Sequence, residues 1–306
     1  MNIVYLGTPD FAVLPLKKIL DSKKNNVVAV ITNKDKPFGR KKILTPPPVK
    51  VLASEYGIPV YQYDKIRLEG VKDLKALCPD IMITCAFGQI LSQEILDIPK
   101  LGVINIHASL LPKYRGASPI HYAILNGEKN TGISIMKTDI GIDTGDIIMQ
   151  KAVQIGEKET CGELFSRLSV LGAESIVEFL DNLEKGMVEY TKQDESKATI
   201  TKMIKKEQAL IDWSNPAISV YNQIRAFNPA PIAFTMLNET PFKIYRASIV
   251  NGNGKPGVVI ENKNKLIIAC GQGALSLERV QKAGGNVMDV ADFLRGNSLE
   301  IGYKLG

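Results

Sequence analysis

Short, wholly apolar runs alternate with amphipathic stretches through the first half of the chain. Ile3-Val4-Tyr5-Leu6, Val27-Val28-Ala29-Val30-Ile31-Thr32, Ile81-Met82-Ile83-Thr84-Cys85-Ala86 and Val103-Ile104-Asn105-Ile106 read as strands buried on both faces, as in a parallel sheet. Between them, Leu14, Leu16, Ile19 and Leu20 predict a helix, and Val49 to Tyr56 predicts another that stops at Gly57. Pro59-Val60-Tyr61 reads as a short strand and residues 71–77 as a helix. Gly132 to Met136 and Ile147 to Gln150 predict two further strands, and a stripe of Leu164, Leu168, Leu171, Ile176, Phe179, Leu180 and Leu183 predicts a long helix over about 160–184. The order strand, helix, strand, helix predicts an α/β fold with a doubly wound, mostly parallel sheet.

The pattern changes after the polar run Tyr190-Thr191-Lys192-Gln193-Asp194-Glu195-Ser196-Lys197, which reads as a linker. Ser214-Asn215-Pro216 predicts the cap of a helix carrying Val220, Ile224 and Phe227. Short strand-like runs follow at 232–237, 242–250, 257–261, 265–270 and 274–280, separated by turns rich in Gly and Asn, which predicts a small C-terminal OB-like β-barrel. The expected organisation is a domain over 1–189, a linker over 190–207 and a second domain over 208–306.

Charge sharpens this division. Residues 1–189 carry 23 basic and 22 acidic side chains, whereas residues 190–306 carry 15 and 10, so the net charge of +6 sits mostly in the C-terminal part. Such an excess hints at a polyanionic partner. No apolar run is long enough for a transmembrane helix, and the N-terminus enters a strand at once without a basic leader, so a cytoplasmic protein with no membrane partner is expected. The four cysteines, Cys78, Cys85, Cys161 and Cys270, form no Cys-x-x-Cys pair, which argues against zinc and against a disulfide framework. With two histidines in the chain, no metal site is expected.

The candidate chemistry lies at the end of the fourth apolar strand. In Val103-Ile104-Asn105-Ile106-His107, Asn105 and His107 stand two residues apart and so leave the same face. Ser109-Leu110-Leu111-Pro112 turns the chain at once, and Ser118-Pro119 predicts the start of a helix through Ile120 to Leu125. Asp139-Ile140-Gly141-Ile142-Asp143-Thr144-Gly145-Asp146 offers three carboxylates in a loop. An amide can donate to a developing oxyanion and an imidazole can move protons near neutral pH. Each has a plainer alternative: His107 and His121 as packed structural histidines, Asn105 as a turn former, Asp143 as a brace of its own loop. Neither Gly-x-Gly-x-x-Gly nor Gly-x-Ser-x-Gly is present, which argues against a Rossmann dehydrogenase and a serine nucleophile, and predicts direct transfer to an incoming nucleophile. The segment Asn33 to Lys50 holds six basic residues (Lys34, Lys36, Arg40, Lys41, Lys42 and Lys50) against Asp35; its Gly39 and four prolines argue against a regular strand or helix, leaving a solvated loop or a finger that touches phosphates.

Asn105-Ile106-His107-Ala108-Ser109-Leu110-Leu111-Pro112, Tyr114-Arg115-Gly116-Ala117-Ser118-Pro119-Ile120 and Asp143-Thr144-Gly145-Asp146 together resemble the folate-dependent formyltransferases. The opening Gly7-Thr8-Pro9-Asp10-Phe11-Ala12, the basic insert, Ile211-Asp212-Trp213-Ser214 and Ile224 to Pro229 extend the resemblance over essentially the whole chain, toward the branch that acts on initiator tRNA. The resemblance implies a formyltransferase-like, Rossmann-type catalytic domain, 10-formyltetrahydrofolate as donor co-substrate and the methionine amine of initiator Met-tRNA as acceptor. It implies Asn105, His107 and Asp143 as the catalytic set, with Asn105 and protonated His107 on the oxyanion. It also implies folate contacts from Ser109, Leu110, Leu111 and Pro112, a pterin pocket from Phe87, Gly88, Gln89, Ile90, Leu91 and the 137–143 loop, and acceptor-stem contacts from Arg40, Lys41 and Lys42. A monomer is expected. A small amine acceptor, a non-catalytic RNA-binding protein and a formate-releasing hydrolase are the competing readings.

Overall fold

The apolar runs meet in one sheet because a strand greasy on both faces must be covered on both. The computed structural model describes residues 1–39, 41–297 and 299–306. Its seven-stranded sheet comprises β1 (Asn2–Gly7), β2 (Asn26–Thr32), β3 (Val60–Gln62), β4 (Ile81–Cys85), β5 (Val103–His107), β6 (Asn130–Lys137) and β7 (Ile147–Gln154) in the order β7-β6-β5-β4-β1-β2-β3. Pairs β1–β2, β1–β4, β2–β3 and β4–β5 are parallel, and β5–β6 is antiparallel. The doubly wound, mostly parallel arrangement read from the apolar runs is the one observed.

Two compact units divide the described chain. The first takes Met1–Gly116, Thr131–Val153 and Phe165–Thr201. Its core on one side of the sheet joins Val4, Leu6, Ile31, Met82 and Val103 with Ile66, Leu74, Phe87, Leu91 and Ile95. Register fixes the neighbours of the candidate site: Asn105 lies between Thr84 on β4 and Met136 on β6, and His107 lies opposite Ser134. Within the basic insert, Lys36–Phe38 and Ile43–Thr45 form an antiparallel ladder, which the prolines and Gly39 had argued against. Pro37 is tolerated because an isolated two-stranded ladder leaves its missing N–H facing outward.

The second unit takes Ala117–Asn130, Gln154–Leu164 and Lys202–Gly306. It contains helices Pro119–Leu125 and Ala217–Ala226 and an antiparallel sheet of β8 (Phe234–Leu237), β9 (Thr240–Val250), β10 (Val259–Glu261), β11 (Leu266–Ala269), β12 (Ala274–Lys282) and β13 (Met288–Asp289). The order is β8-β9-β12-β11-β10, with β13 on β12. Asn238 and Glu239 turn β8 into β9 with φ of 48° and 60°, the geometry of a tight hairpin. Register shifts around Arg246 bend the long β9–β12 pair. The result is an open, curled half-barrel, consistent with the OB-like domain expected. His121 packs 6.5 Å from the ring of Phe227, and burial pushes its pKa down, as a structural histidine should behave. Ser118 does not cap its helix; it sits at φ 60° and its Oγ accepts from the Ile204 N–H.

Ile104, the residue just before Asn105 on β5, is fully buried. Ile104→Ala is therefore expected to lower the unfolding free energy by about 2–5 kcal/mol through lost contacts and a residual cavity, measured by urea denaturation; a loss below about 1 kcal/mol would show that β5 is not held by this packing.

Candidate active site

Alternation along β5 sends Val103, Asn105 and His107 to one face. The orientation of the Asn105 amide follows from its neighbours. Thr84 Oγ1 donates to Asn105 Oδ1 at 2.9 Å, which leaves Nδ2 to donate to Asp143 Oδ1 at 3.2 Å. Asp143 Oδ2 accepts the Gly116 N–H at 2.8 Å and lies 3.5 Å from His107 Nδ1. His107 Nε2 is 2.9 Å from the Tyr114 carbonyl oxygen. A carbonyl can only accept, so Nε2 carries a proton and Nδ1 is the nitrogen turned toward the carboxylate. The His107 side chain is 7% exposed and that of Asp143 17%, so the pair is screened from bulk water but open on one side.

The loop over β5 is built for close approach. Lys137 N donates to Asp146 O at 2.9 Å, closing the loop at its base. A side chain on Gly145 would stand 2.0 Å from the Lys137 carbonyl oxygen, so only glycine fits there. Asp139 accepts from Gly141 N and Thr144 Oγ1 and so braces the loop from within. Gly116 adopts φ 92°, and a Cβ there would meet the Thr201 carbonyl oxygen at 2.6 Å. Asn105, His107 and Asp143 are thus brought together, whereas Thr84, Tyr114 and Gly116 complete the cluster, none of them read as a site residue from the sequence. Register against β4 alone could have pointed to Thr84.

Of the eight residues expected to contact folate, Ser109, Leu111, Phe87 and Leu91 are buried and offer no free side-chain surface. Ser109 Oγ donates to Lys113 O at 2.6 Å, Leu111 N donates to Ser134 Oγ at 3.1 Å, and Phe87 and Leu91 belong to the apolar core. Gly88, Ile90, Leu110 and Pro112 remain at least partly exposed. Gln89 is committed to structure, donating to Asn33 Oδ1 and Tyr63 O and accepting from Ile66 N. A cavity of about 660 Å³ lies at the base of β5, lined by Leu96, Leu101, Val103, Lys137, Thr138 and Asp139 among others. Thr138 Oγ1 is buried there without a protein hydrogen-bond partner. Because Val103 shares its face with Asn105, the cavity and the polar cluster lie on one side of the strand, about 7 Å apart along it.

In the basic insert, Lys41 and Lys42 are exposed and Arg40 lies outside the described residues. Lys50 pairs with Asp35 at 2.8 Å in a partly buried setting and is held within the protein, whereas Lys34 pairs with Asp64 at 2.5 Å on the exposed surface. Burial pushes the thiols of Cys85 and Cys161 up to about 12 and that of Cys270 up to about 11, which makes them poor nucleophiles near neutral pH. No helix of the described residues is long and apolar enough to cross a membrane, and among the same residues no group of three or more His, Cys, Asp or Glu is placed to hold a metal ion.

The family described as Formyl transferase matches residues 1–180, and Formyl transferase, C-terminal domain, matches residues 203–298. A methionyl-tRNA formyltransferase of Geobacter metallireducens is 44% identical over 308 residues, covering 100% of this chain and 99% of that protein. The enzyme of the same name from Bacillus velezensis is 45% identical, covering 100% and 98%. Among solved structures, a sugar 3N-formyl transferase crystallised in the presence of dTDP and 5-N-formyl-THF has a TM-score of 0.68 at 24% identity, over 94% of this chain and 99% of that one. A methionyl-tRNA formyltransferase from Clostridium thermocellum has a TM-score of 0.58 at 21% identity, over 83% and 95%. These two likenesses show the fold.

Thr84→Val keeps the side-chain shape but removes the donor to Asn105 Oδ1. It is expected to destabilise the protein by about 1–3 kcal/mol, the cost of an unpaired acceptor in a part-buried site, read by chemical denaturation. An unchanged stability would mean that the amide is not fixed by Thr84.

Proposed function

The chain belongs to the formyl transferase family through both its N-terminal and its C-terminal domains, and we propose that it transfers the formyl group of 10-formyltetrahydrofolate to the methionine amine of initiator Met-tRNA. The observation that carries this reading is the closure of Asp143 onto both Asn105 and His107. Full-length relatives named for the same reaction support it. We assign catalysis to residues 1–189 together with 190–201, which pack with the first unit, and tRNA holding to 208–306.

The cavity at the base of β5 fits a flat heteroaromatic co-substrate: its size is in the usual range for ligand pockets, Leu96, Leu101 and Val103 give an apolar wall, and Lys137 and Asp139 add polar groups. We assign the pterin to this cavity with the 137–143 loop, and the accessible Gly88, Ile90, Leu110 and Pro112 to its approach. When bound, 10-formyltetrahydrofolate supplies a formyl carbon activated by its bond to nitrogen. Asn105 Nδ2 keeps a second N–H beside the one given to Asp143, and this donor serves the formyl oxygen as charge builds there. His107 has Nε2 on the Tyr114 carbonyl and Nδ1 toward Asp143, so its part moves from the oxyanion, where the resemblance put it, to the proton: Nδ1 and Asp143 Oδ2 together take up the proton that leaves the attacking amine and return it to the donor nitrogen as the bond from that nitrogen to the formyl carbon breaks. Neither role needs a covalent enzyme intermediate.

For the acceptor, Phe38, Ile43 and Leu44 stand exposed on the hairpin beside Lys41 and Lys42, a pairing of apolar and basic surface suited to an RNA end. The basic excess after residue 190 serves the rest of the tRNA.

Labelled-formyl transfer to Met-tRNA tests the reading, with an amino sugar offered in parallel. Asn105→Ala and His107→Ala are each expected to lower kcat by about 10²–10³ with KM for both substrates nearly unchanged; near-normal turnover in either variant, or transfer to the small amine alone, would overturn it. Phosphate contacts also require KM for tRNA to rise steeply with salt, and Lys41→Ala with Lys42→Ala to raise KM and flatten that dependence. A salt-independent KM would remove the tRNA assignment.

A further inference from the structure

The segment that composition presents as a linker returns along the first unit instead. Thr191 exchanges both backbone hydrogen bonds with Ile147 at 2.8 Å, Tyr114 N donates to Thr199 Oγ1 at 2.7 Å, and Ile200–Thr201 pairs in parallel with Arg115–Gly116. In the middle of this strap, Gln193 uses the full capacity of its amide. Nε2 donates to Asp143 O at 2.8 Å and to Gly145 O at 2.7 Å, while Oε1 accepts from Arg115 Nε at 3.0 Å and Nη2 at 2.9 Å. Arg115 is itself buried and forked onto Glu195 through two bonds of 2.9 and 2.7 Å, and each partner holds the other in its charged form: the guanidinium keeps the Glu195 carboxyl below its ordinary value, and Glu195 raises that of Arg115.

Asp143 sits at φ 53°, a left-handed conformation that a side-chain-bearing residue holds only when its surroundings impose it. We propose that Gln193 is a positioning residue for formyl transfer: by clamping the carbonyls of Asp143 and Gly145 it keeps the Asp143 carboxylate on Asn105, Gly116 and His107. The proposal deepens the formyl-transfer reading and rests on it for its kinetic consequence. Its structural consequence stands apart from that reading. Releasing the two carbonyls lets the loop relax, and a displacement of about 1 Å at a reacting group can cost as much as a hundredfold in rate.

Gln193→Glu keeps the shape and the Arg115 contact but replaces the donor with a carboxylate oxygen; Gln193→Ala removes both. Both variants are expected to lower kcat ten- to hundredfold, with KM for 10-formyltetrahydrofolate and Met-tRNA within about twofold of wild type. The ring-nitrogen NMR signals of His107 are expected to move, while those of His121, the chain's other histidine, stay. If Gln193→Ala fails to fold, Gln193→Glu decides. Wild-type kcat in Gln193→Glu, or unmoved His107 signals in that variant, overturns the proposal. A wild-type enzyme inactive on Met-tRNA would refute the formyl-transfer reading, and the His107 signals would still decide for or against the clamp.

Discussion

The Asp143 carboxylate is the group on which the site depends. It reaches from a loop to three different partners: the Asn105 amide, the Gly116 N–H and the Nδ1 side of His107. A carboxylate this little exposed loses hydration, and charge-assisted hydrogen bonds must offset the loss. The same bonds give the site its order, because they tie the loop that carries Asp143 to β5 and to Gly116. Loosening any one of them leaves the others without a fixed acceptor.

The sheet explains why these stretches can meet. β5 is flanked by parallel β4 and antiparallel β6, and the chain leaving β6 must cross back over the face that Asn105 and His107 share. Gly145 permits that crossing to come within touching distance of the Lys137 backbone, and Gly116 permits the 115–116 strand to lie against Thr201. The candidate site thus sits where the parallel pattern gives way, as ligand sites in open α/β sheets do. The cavity at Val103 and the polar cluster at Asn105 and His107 are two stations along one strand, which suits a reaction that must hold a bulky donor and act on one atom of it.

Much of this was legible in local pattern. Apolar runs of four to six residues marked the strands, and the alternation of Asn105 with His107 placed both on one face before any contact was known. Gly57 after the second helix, at φ 69°, ended it where expected. What escaped was set by long-range contact. Gln193 lies in a polar run whose composition is that of a linker, and its partners are 48 to 78 residues away. The pairing of Lys50 with Asp35, supported by a hydrogen bond to Gln62, and that of Lys34 with Asp64 are features that no charge count along the chain reveals. The engagement of both His107 nitrogens follows from the Tyr114 carbonyl, a backbone group that has no signature in side-chain identity.

The loop carries three carboxylates in different settings: Asp139 braces the loop, Asp143 reaches Asn105 and Gly116, and Asp146 anchors the base through its backbone carbonyl. Single-turnover transfer of labelled formyl to Met-tRNA by Asp139→Asn, Asp143→Asn and Asp146→Asn separates them most directly. The account predicts a loss of about 10² or more in Asp143→Asn alone, with the other two within tenfold of wild type. Wild-type transfer by Asp143→Asn, or equal losses at all three positions, would contradict it.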